Sequence, residues 1–308
     1  MKYLSLFTGI GAFELAIRDI IENSSCVGFS EIDKHAIKIY EKNFPENEGL
    51  NLGDISRLVF DLDSKGNFLV NANRIKLLPD FDLLVGGAPC QDLSINKANR
   101  EGLKGKKSRL FYAYLEILKV KKPKYFIFEN VASMPKKDKE TITKLFNDAG
   151  YVSKPVMIDS SLVSAQQRKR LYWTNWEVSQ PEDMNINISR GGVPIHAWSK
   201  SCRPKNGFDE RIRVNGKANS LTCSINGSES INFFPSELLN FQPRKVMKRE
   251  QLFVNSISKD ERLTINEAEE LQTFPKDWTE GVSRNQRFKQ LGNAITVNVL
   301  RHIIKKMN

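Results

Sequence analysis

Cysteine, histidine and long apolar runs are scarce in this 308-residue chain. Its four cysteines, Cys26, Cys90, Cys202 and Cys223, are widely scattered, with no CxxC pair and no dense, even framework. That spacing excludes a disulfide-stapled scaffold and argues against secretion. The three histidines, His35, His196 and His302, show no ligand spacing, so no metal is expected. No apolar stretch approaches the roughly 18 to 20 residues that cross a bilayer, which removes a membrane-spanning helix. Nor does a basic n-region with an apolar h-region precede the first strand-like run, Tyr3 to Phe7. A soluble, cytoplasmic protein is expected.

What is present is a globular composition, 40% hydrophobic and 27% charged. Such a length buries one large core, or one core with a smaller satellite domain. Lys and Arg number 47 against 36 Asp and Glu, a formal charge of +11, and the excess is uneven. Residues 97–122 hold nine Lys or Arg against Glu101 and Glu116. Residues 200–217 hold six, from Lys200 to Lys217, against Asp209 and Glu210, and Arg244, Lys245, Lys248 and Arg249 form a third group. Local excesses of this kind suit a polyanion partner. On charge alone a Lys-rich solvated surface fits equally well.

The first half alternates strands with helices. Lys2 to Phe7 is a short apolar strand, Thr8-Gly9-Ile10-Gly11 a glycine-rich turn, and Ala12 to Ile21 has helical spacing. Cys26 to Ser30, Phe81 to Gly86 and Tyr125 to Glu129 read as strands, and a third strand is expected at Leu52 to Ile55. Helices are expected at His35 to Asn43, Leu110 to Val120 and Thr141 to Ala149, with Gly150 as the stop of the last. This alternation predicts an α/β chain with a doubly wound, mainly parallel sheet and ligands at the carboxyl ends of its strands. After about residue 175 the composition turns to Asn, Ser, Gly and Lys with short β-like runs. Helical spacing returns at Asn266 to Phe274 and at Ala294 to Ile304. The resulting division is 1–176, an irregular β-rich insertion at 177–261, a connector at 262–284, and a returning helix at 285–308.

Strand, Gly9-x-Gly11 and helix make a nucleotide-binding shape, but Glu14 stands where a dinucleotide fingerprint has its third small residue. A carboxylate there opposes a pyrophosphate at the helix N-terminus. Glu31 and Asp54 fall at the ends of the second and third strands, where a carboxylate accepts ribose hydroxyls or an adenine amine. Three strand ends suited to an adenosine without phosphates point to S-adenosylmethionine.

Cys90 sits in Gly86-Gly87-Ala88-Pro89-Cys90-Gln91, directly after an apolar strand and before a Lys/Arg-rich loop. That placement favours a depressed thiol pKa. Glu129, in Glu129-Asn130-Val131, ends the next strand at the same sheet edge. In Gln166-x-Arg168-x-Arg170 the alternating arginines share one side if the segment is extended.

With these residues in view, the chain resembles the cytosine-C5 DNA methyltransferase family of bacteria and phages. The motifs follow in the family's order: Phe7 to Gly11, Glu31-Ile32-Asp33, Gly53-Asp54-Ile55, Pro89-Cys90-Gln91, Glu129-Asn130-Val131, Gln166-x-Arg168-x-Arg170, Arg262 to Pro275, and Gly292-Asn293-Ala294-Ile295. The resemblance implies a Rossmann-like S-adenosylmethionine-dependent methyltransferase fold with a smaller target-recognition domain at 177–261. It implies Cys90 as the nucleophile toward cytosine C6, Glu129 as donor to N3, Arg170 at O2, and Arg168 in support. Cofactor contacts carry over to Phe7, Thr8, Gly9, Ile10, Gly11, Glu31, Ile32, Asp54, Ile55, Leu110, Asn293 and Ala294, with S-adenosylhomocysteine as product. Where the family often has an aromatic residue, Ile32 offers aliphatic packing.

The implied partner is double-stranded DNA with the target base rotated out of the stack. Gln91, Ser94, Asn96, Arg109, Ser220 and Leu221 are the candidate DNA contacts. The family's Thr-Leu pair is matched only by Ser220-Leu221, so base-reading residues stay unassigned. A monomer associated with the nucleoid is expected, with a cognate restriction endonuclease acting on the same site. Three other functions fit less well. A tRNA-methylating branch characteristically carries Cys-Phe-Thr, absent here. A binding-only relative would not need Cys90, Glu129 and Arg170 together, and a dinucleotide oxidoreductase is opposed by Glu14.

Overall fold

A computed structural model describes residues 1–65, 68–88, 109–190, 193–199, 212–213, 217–218, 221, 230–233 and 262–307. They fall into two compact units, one of residues 1–158, 169–180 and 300–308 and the other of residues 159–168 and 181–299.

The first unit is mixed α/β, a Rossmann-like arrangement around a six-stranded sheet ordered β2-β1-β5-β6-β8-β7. These strands are β1 (Lys2–Leu6), β2 (Ser25–Ser30), β5 (Leu83–Gly87), β6 (Tyr125–Val131), β7 (Val156–Asp159) and β8 (Lys169–Thr174). β1 pairs in parallel with β2 and β5, β5 in parallel with β6, and β8 runs antiparallel to β6. The central strands are unbroken apolar runs because helices cover both faces of a parallel sheet. α1 (Ala12–Ile20) and α2 (Lys34–Asn43) follow β1 and β2, while α5 (Arg109–Lys121) and α6 (Lys136–Asp148) flank β6 in sequence. Phe111, Tyr114, Phe126, Phe128, Phe146 and Trp173 form a fully buried aromatic block in the core. Gly150, at φ 93°, ends α6 as expected, and its N–H reaches the Asn147 carbonyl at 2.9 Å.

Several expectations are corrected. The third strand is reduced to one parallel bridge, Phe29 to Asn51, after which Asp54 caps the short helix α3 (Ile55–Val59). A side chain that caps a helix satisfies local N–H groups, and the chain turns rather than extends. α6 starts five residues before Thr141, because its first turn carries Lys136 to Glu140 and shows no apolar period. A hairpin of β3 (Phe60–Leu62) and β4 (Phe68–Val70), followed by α4 (Ala72–Lys76), was not anticipated. Its residues Leu62, Phe68, Leu69 and Val70 are exposed, so no buried face marked them.

In the second unit the described residues between 189 and 233 include five short strands. β9 (Ser189–Arg190) pairs with β10 (Val193–Pro194), and β11 (His196–Ser199) lies between β12 (Ile212–Arg213) and β13 (Ser230–Phe233), all antiparallel. Helix α7 (Ile265–Leu271) opens with a Thr264–Glu267 capping box. The helix expected from Ala294 begins only at Val297 (α9, Val297–Lys305). Ala294 instead closes a preceding helix, α8 (Arg284–Asn293), whose polar sequence carries no apolar stripe. Among the described residues no helix is long and apolar enough to cross a membrane.

Candidate active site

The carboxyl ends of β1 and β2 are joined by one carboxylate. β1 leads into Phe7 at φ 57° and then Gly9 and Gly11 at φ 59° and 86°. Glu31, just past β2, accepts from the Gly9 N–H through Oε2 at 2.8 Å. Its Oε1 accepts from the N–H groups of Ile32 and Asp33 at 2.7 and 2.8 Å. A carboxylate has about four acceptor positions, so Oε2 retains one for a ligand hydroxyl. Gly11 caps α1 where a Cβ would lie 2.4 Å from the Phe44 ring, and Gly9 has open space at its Cβ position. Thr8 is buried and its N–H bonds to the Ser30 carbonyl at 3.1 Å. Ile10 is buried, whereas Ile32 is 70% exposed.

Asn51, which the sequence did not single out, staples this corner. Its Oδ1 accepts from Glu31 N and Gly53 N at 3.3 and 2.9 Å, and its Nδ2 donates to the Glu31 carbonyl at 3.2 Å. The Asp54 carboxylate accepts from the backbone and hydroxyl of Ser56 at 2.9 and 2.7 Å, with Ile55 buried beneath. Leu110 packs, partly buried, on the core.

The next strand pair holds the ionisable groups. Gly87 of β5 is in register with Glu129 of β6, and Glu129 faces Tyr172 of antiparallel β8. Side chains directly opposite share a face, and the diagonal neighbour two residues along is within reach of a long side chain. Arg170 takes that diagonal place, its Nε 3.0 Å from Glu129 Oε1. Both are largely buried, with side chains 17% and 12% exposed for Arg170 and Glu129. Arg170 also donates through Nη1 to the Lys169 carbonyl at 2.9 Å. Asn130 accepts from Val131 N–H at 2.8 Å, and its amide points to the Ala88 carbonyl at 3.5 Å, two residues before Cys90. Behind these strands the Tyr114 hydroxyl donates to the carbonyls of Leu84 and Ile127 at 3.1 and 2.9 Å. Gly86 leaves room for that ring: a Cβ there would meet it at 3.2 Å and the Leu6 carbonyl at 2.9 Å.

Glu14 is the odd group of this unit. It is fully buried in the first turn of α1, and neither carboxylate oxygen has a hydrogen-bond partner. Burial raises its pKa to about 7, and the nearby hydroxyls of Ser5 and Tyr40 offset only part of the rise. Burial and the proximity of Glu14 also push the Cys26 thiol up to about 12, so Cys26 is not an activated thiol.

Cys90, Gln91, Ser94, Asn96 and Ser220 lie outside the described residues, and Arg109 is the first residue of α5. In the second unit Arg168, 5% exposed, donates to the carbonyls of Leu221, Gly292 and Ala294 at 3.1, 3.0 and 2.9 Å. Leu221, a candidate DNA contact, is itself 8% exposed and packs within this unit. Asn293 is exposed at the end of α8, and Ala294 is buried beside it.

The model of the C-5 cytosine-specific DNA methylase family matches residues 1–198 and 195–308. The Type II methyltransferase M.NlaX of Neisseria lactamica is 27% identical over 330 residues, covering 99% of this chain and 96% of the relative. The orphan methyltransferase M.SPRI of Bacillus phage SPR is 40% identical over 177 residues, 56% of this chain, and the match spans only 37% of its length. The match to M.Rho11sI of Bacillus phage rho11s likewise spans only 32% of that relative. The crystal structure of the S. pombe Dnmt2 methyltransferase shares the fold, with a TM-score of 0.67 at 18% identity over 99% of this chain and 97% of that one. The chain belongs to the C-5 cytosine-specific DNA methylase family.

Proposed function

We propose that the protein transfers a methyl group from S-adenosylmethionine to C5 of a cytosine rotated out of double-stranded DNA. The observation that carries the reading is the Glu129–Arg170 pair at the sheet edge, in register with the strand that leads to Cys90.

The residues at the β1 and β2 ends fit the cofactor. Gly9 and Gly11 bring backbone rather than side chain to the ligand, Glu31 keeps an acceptor position, and exposed Ile32 offers an apolar face for a purine. Phe7, Thr8, Ile10, Asp54, Ile55, Leu110, Asn293 and Ala294 are the further proposed cofactor contacts. When bound, the cofactor supplies an electrophilic methyl on a sulfonium centre.

Cytosine C5 is a weak nucleophile. The Cys90 thiolate adds to C6, and the C5–C6 electron pair makes C5 enamine-like, so that it can take the methyl group. Negative charge spreads toward N3 and O2 as the thiolate adds. Glu129, in its acid form, donates a proton to N3, while the Arg170 guanidinium bonds O2. Loss of the C5 proton to a base then returns its electron pair to the ring, the C6–S bond breaks to restore the thiolate, and the N3 proton returns to Glu129. Gln91, Ser94, Asn96, Arg109 and Ser220 are the proposed DNA contacts, and a cognate endonuclease acting on the same site is the proposed biological partner. The family description and the Type II name of M.NlaX support duplex DNA over tRNA.

The test is a trapping assay with 5-fluorocytosine in a duplex and in tRNA. The fluorine blocks the last step, so a stable adduct is expected with the duplex and none with Cys90→Ser. An adduct with tRNA alone would transfer the reading to RNA, and no adduct with either would remove the covalent mechanism.

A further inference from the structure

Lys217 closes the basic stretch that composition alone assigns to a polyanion, yet its ammonium is spent inside the protein. Nζ donates to the carbonyls of Ser161 at 2.8 Å, Ser164 at 3.2 Å and Ile186. An ammonium has three N–H donors, and three carbonyls from two separate segments receive them. The residues after it are fastened to the same stretch of chain. Ala218 N–H bonds to the Ala165 carbonyl at 2.7 Å, and Gln167 N–H returns a bond to the Ala218 carbonyl at 2.9 Å. Leu221 then offers its carbonyl to Arg168. Two cations and a short parallel bridge, Gln166 to Ala218, thus hold residues 217, 218 and 221 to the 161–168 segment.

We propose that Lys217 is a positioning residue for target recognition: by gathering the carbonyls of Ser161, Ser164 and Ile186 it fixes residues 217, 218 and 221 of the insertion to the segment that carries Arg168. The inference rests on the DNA reading above. A hydrogen-bonded ammonium in a partly buried setting is also costly to move, which suits a fixed joint rather than a mobile phosphate contact. Burial lowers its pKa below the usual lysine value, as expected for such a joint.

The two roles differ in salt dependence. Each phosphate contact contributes about 0.9 to the slope of log K against log salt on duplex DNA, whereas a joint that only shapes the surface contributes nothing to it. The experiment compares wild type with Lys217→Met on a duplex carrying the site mapped by bisulfite sequencing and on single-base variants of it. The expected result is a KM for DNA raised about tenfold and discrimination against altered sites reduced about tenfold, both of the size that one lost positioning contact gives. Cofactor affinity and the salt slope should stay at wild-type values. A slope lowered by about 0.9 would make Lys217 a phosphate contact and overturn the proposal. So would a lowered melting temperature with unchanged DNA kinetics at 25 °C. Should Lys217→Met be insoluble, Lys217→Gln keeps two donors, and a smaller loss of discrimination in the same direction is expected. Wild type serves as the control for the function itself, because its failure to methylate any duplex would overturn the DNA reading rather than the joint.

Discussion

Arg170 Nε stands 3.0 Å from Glu129 Oε1 across the antiparallel β6–β8 pair, two residues off direct register. Under the proposed mechanism both groups act on one pyrimidine ring, Glu129 at N3 and Arg170 at O2. Glu129→Gln keeps the shape and removes the acid. Its kcat should fall about 10²- to 10³-fold, the range for loss of one transition-state donor, with duplex affinity changed less than about threefold. Single-turnover methylation and a filter-binding titration check the two halves. Equal losses in both would make Glu129 a binding group.

The turn between β1 and α1 makes a second case. Gly11 combines a φ of 86° with a Cβ position 2.4 Å from Phe44 Cε2. Gly11→Ala therefore meets both backbone strain of about 1 to 2 kcal/mol and a ring that must shift. The ring belongs to the end of α2, so the shift disturbs the corner where Glu31 accepts the Gly9 N–H. Cofactor affinity should drop about tenfold or more, each tenfold being about 1.4 kcal/mol. Calorimetric titration measures it. Gly9→Ala, where a Cβ meets nothing within 4 Å, isolates the strain from the clash.

How much of this was legible beforehand follows from the physics of each element. The parallel strands were readable because burial on both faces leaves unbroken apolar runs, as in Leu83 to Val85 and Tyr125 to Phe128. Glu129 and Arg170 were singled out from motif order, and their ion pair needed the register. The returning helix expected at 285–308 is two helices, α8 and α9, and Arg284 to Lys289 has no apolar period to mark the first, which is held instead by the Ser283 cap. Asn51 gave no signal and Lys217 only that of a basic stretch, since a side chain that bonds distant backbone carbonyls or N–H groups has no local pattern to read. The exposed β3–β4 hairpin had no buried face to set an alternation.

Glu14 makes stability depend on pH in an unusual direction. Its carboxyl has a pKa of about 7 in the fold against an ordinary glutamate value of 4.5, so the folded state holds a proton that the unfolded state has released over that interval. Stability is therefore greatest below about pH 4.5 as far as this group is concerned, falls as pH rises toward 7, and stays low above it. In Glu14→Gln this component is gone. Melting curves between pH 5 and 8 should lose several degrees in wild type and little in the variant. Parallel slopes would show that the Glu14 carboxylate finds compensation inside the fold.

Tyr114 is the group whose removal should leave the chemistry alone. Its hydroxyl has one proton for two carbonyls, Leu84 and Ile127, on the strands that lead to Gly87 and Glu129. Both carbonyls lie in the parallel β5–β6 region of the sheet, so losing the hydroxyl deprives the sheet of a cross-strand tie while the ring still fills the space above Gly86. Tyr114→Phe should cost about 1 kcal/mol, or about 2 to 4 °C in melting temperature for a unit of this size. Tyr114→Ala also opens a cavity, and about 3 to 5 kcal/mol is expected. Well below the melting temperature, kcat of Tyr114→Phe should stay within about twofold of wild type, because about 0.4 kcal/mol in the barrier already makes a factor of two. If kcat falls tenfold at unchanged KM, the tie sets the spacing of the strand ends during catalysis, and the hydroxyl then acts through Glu129.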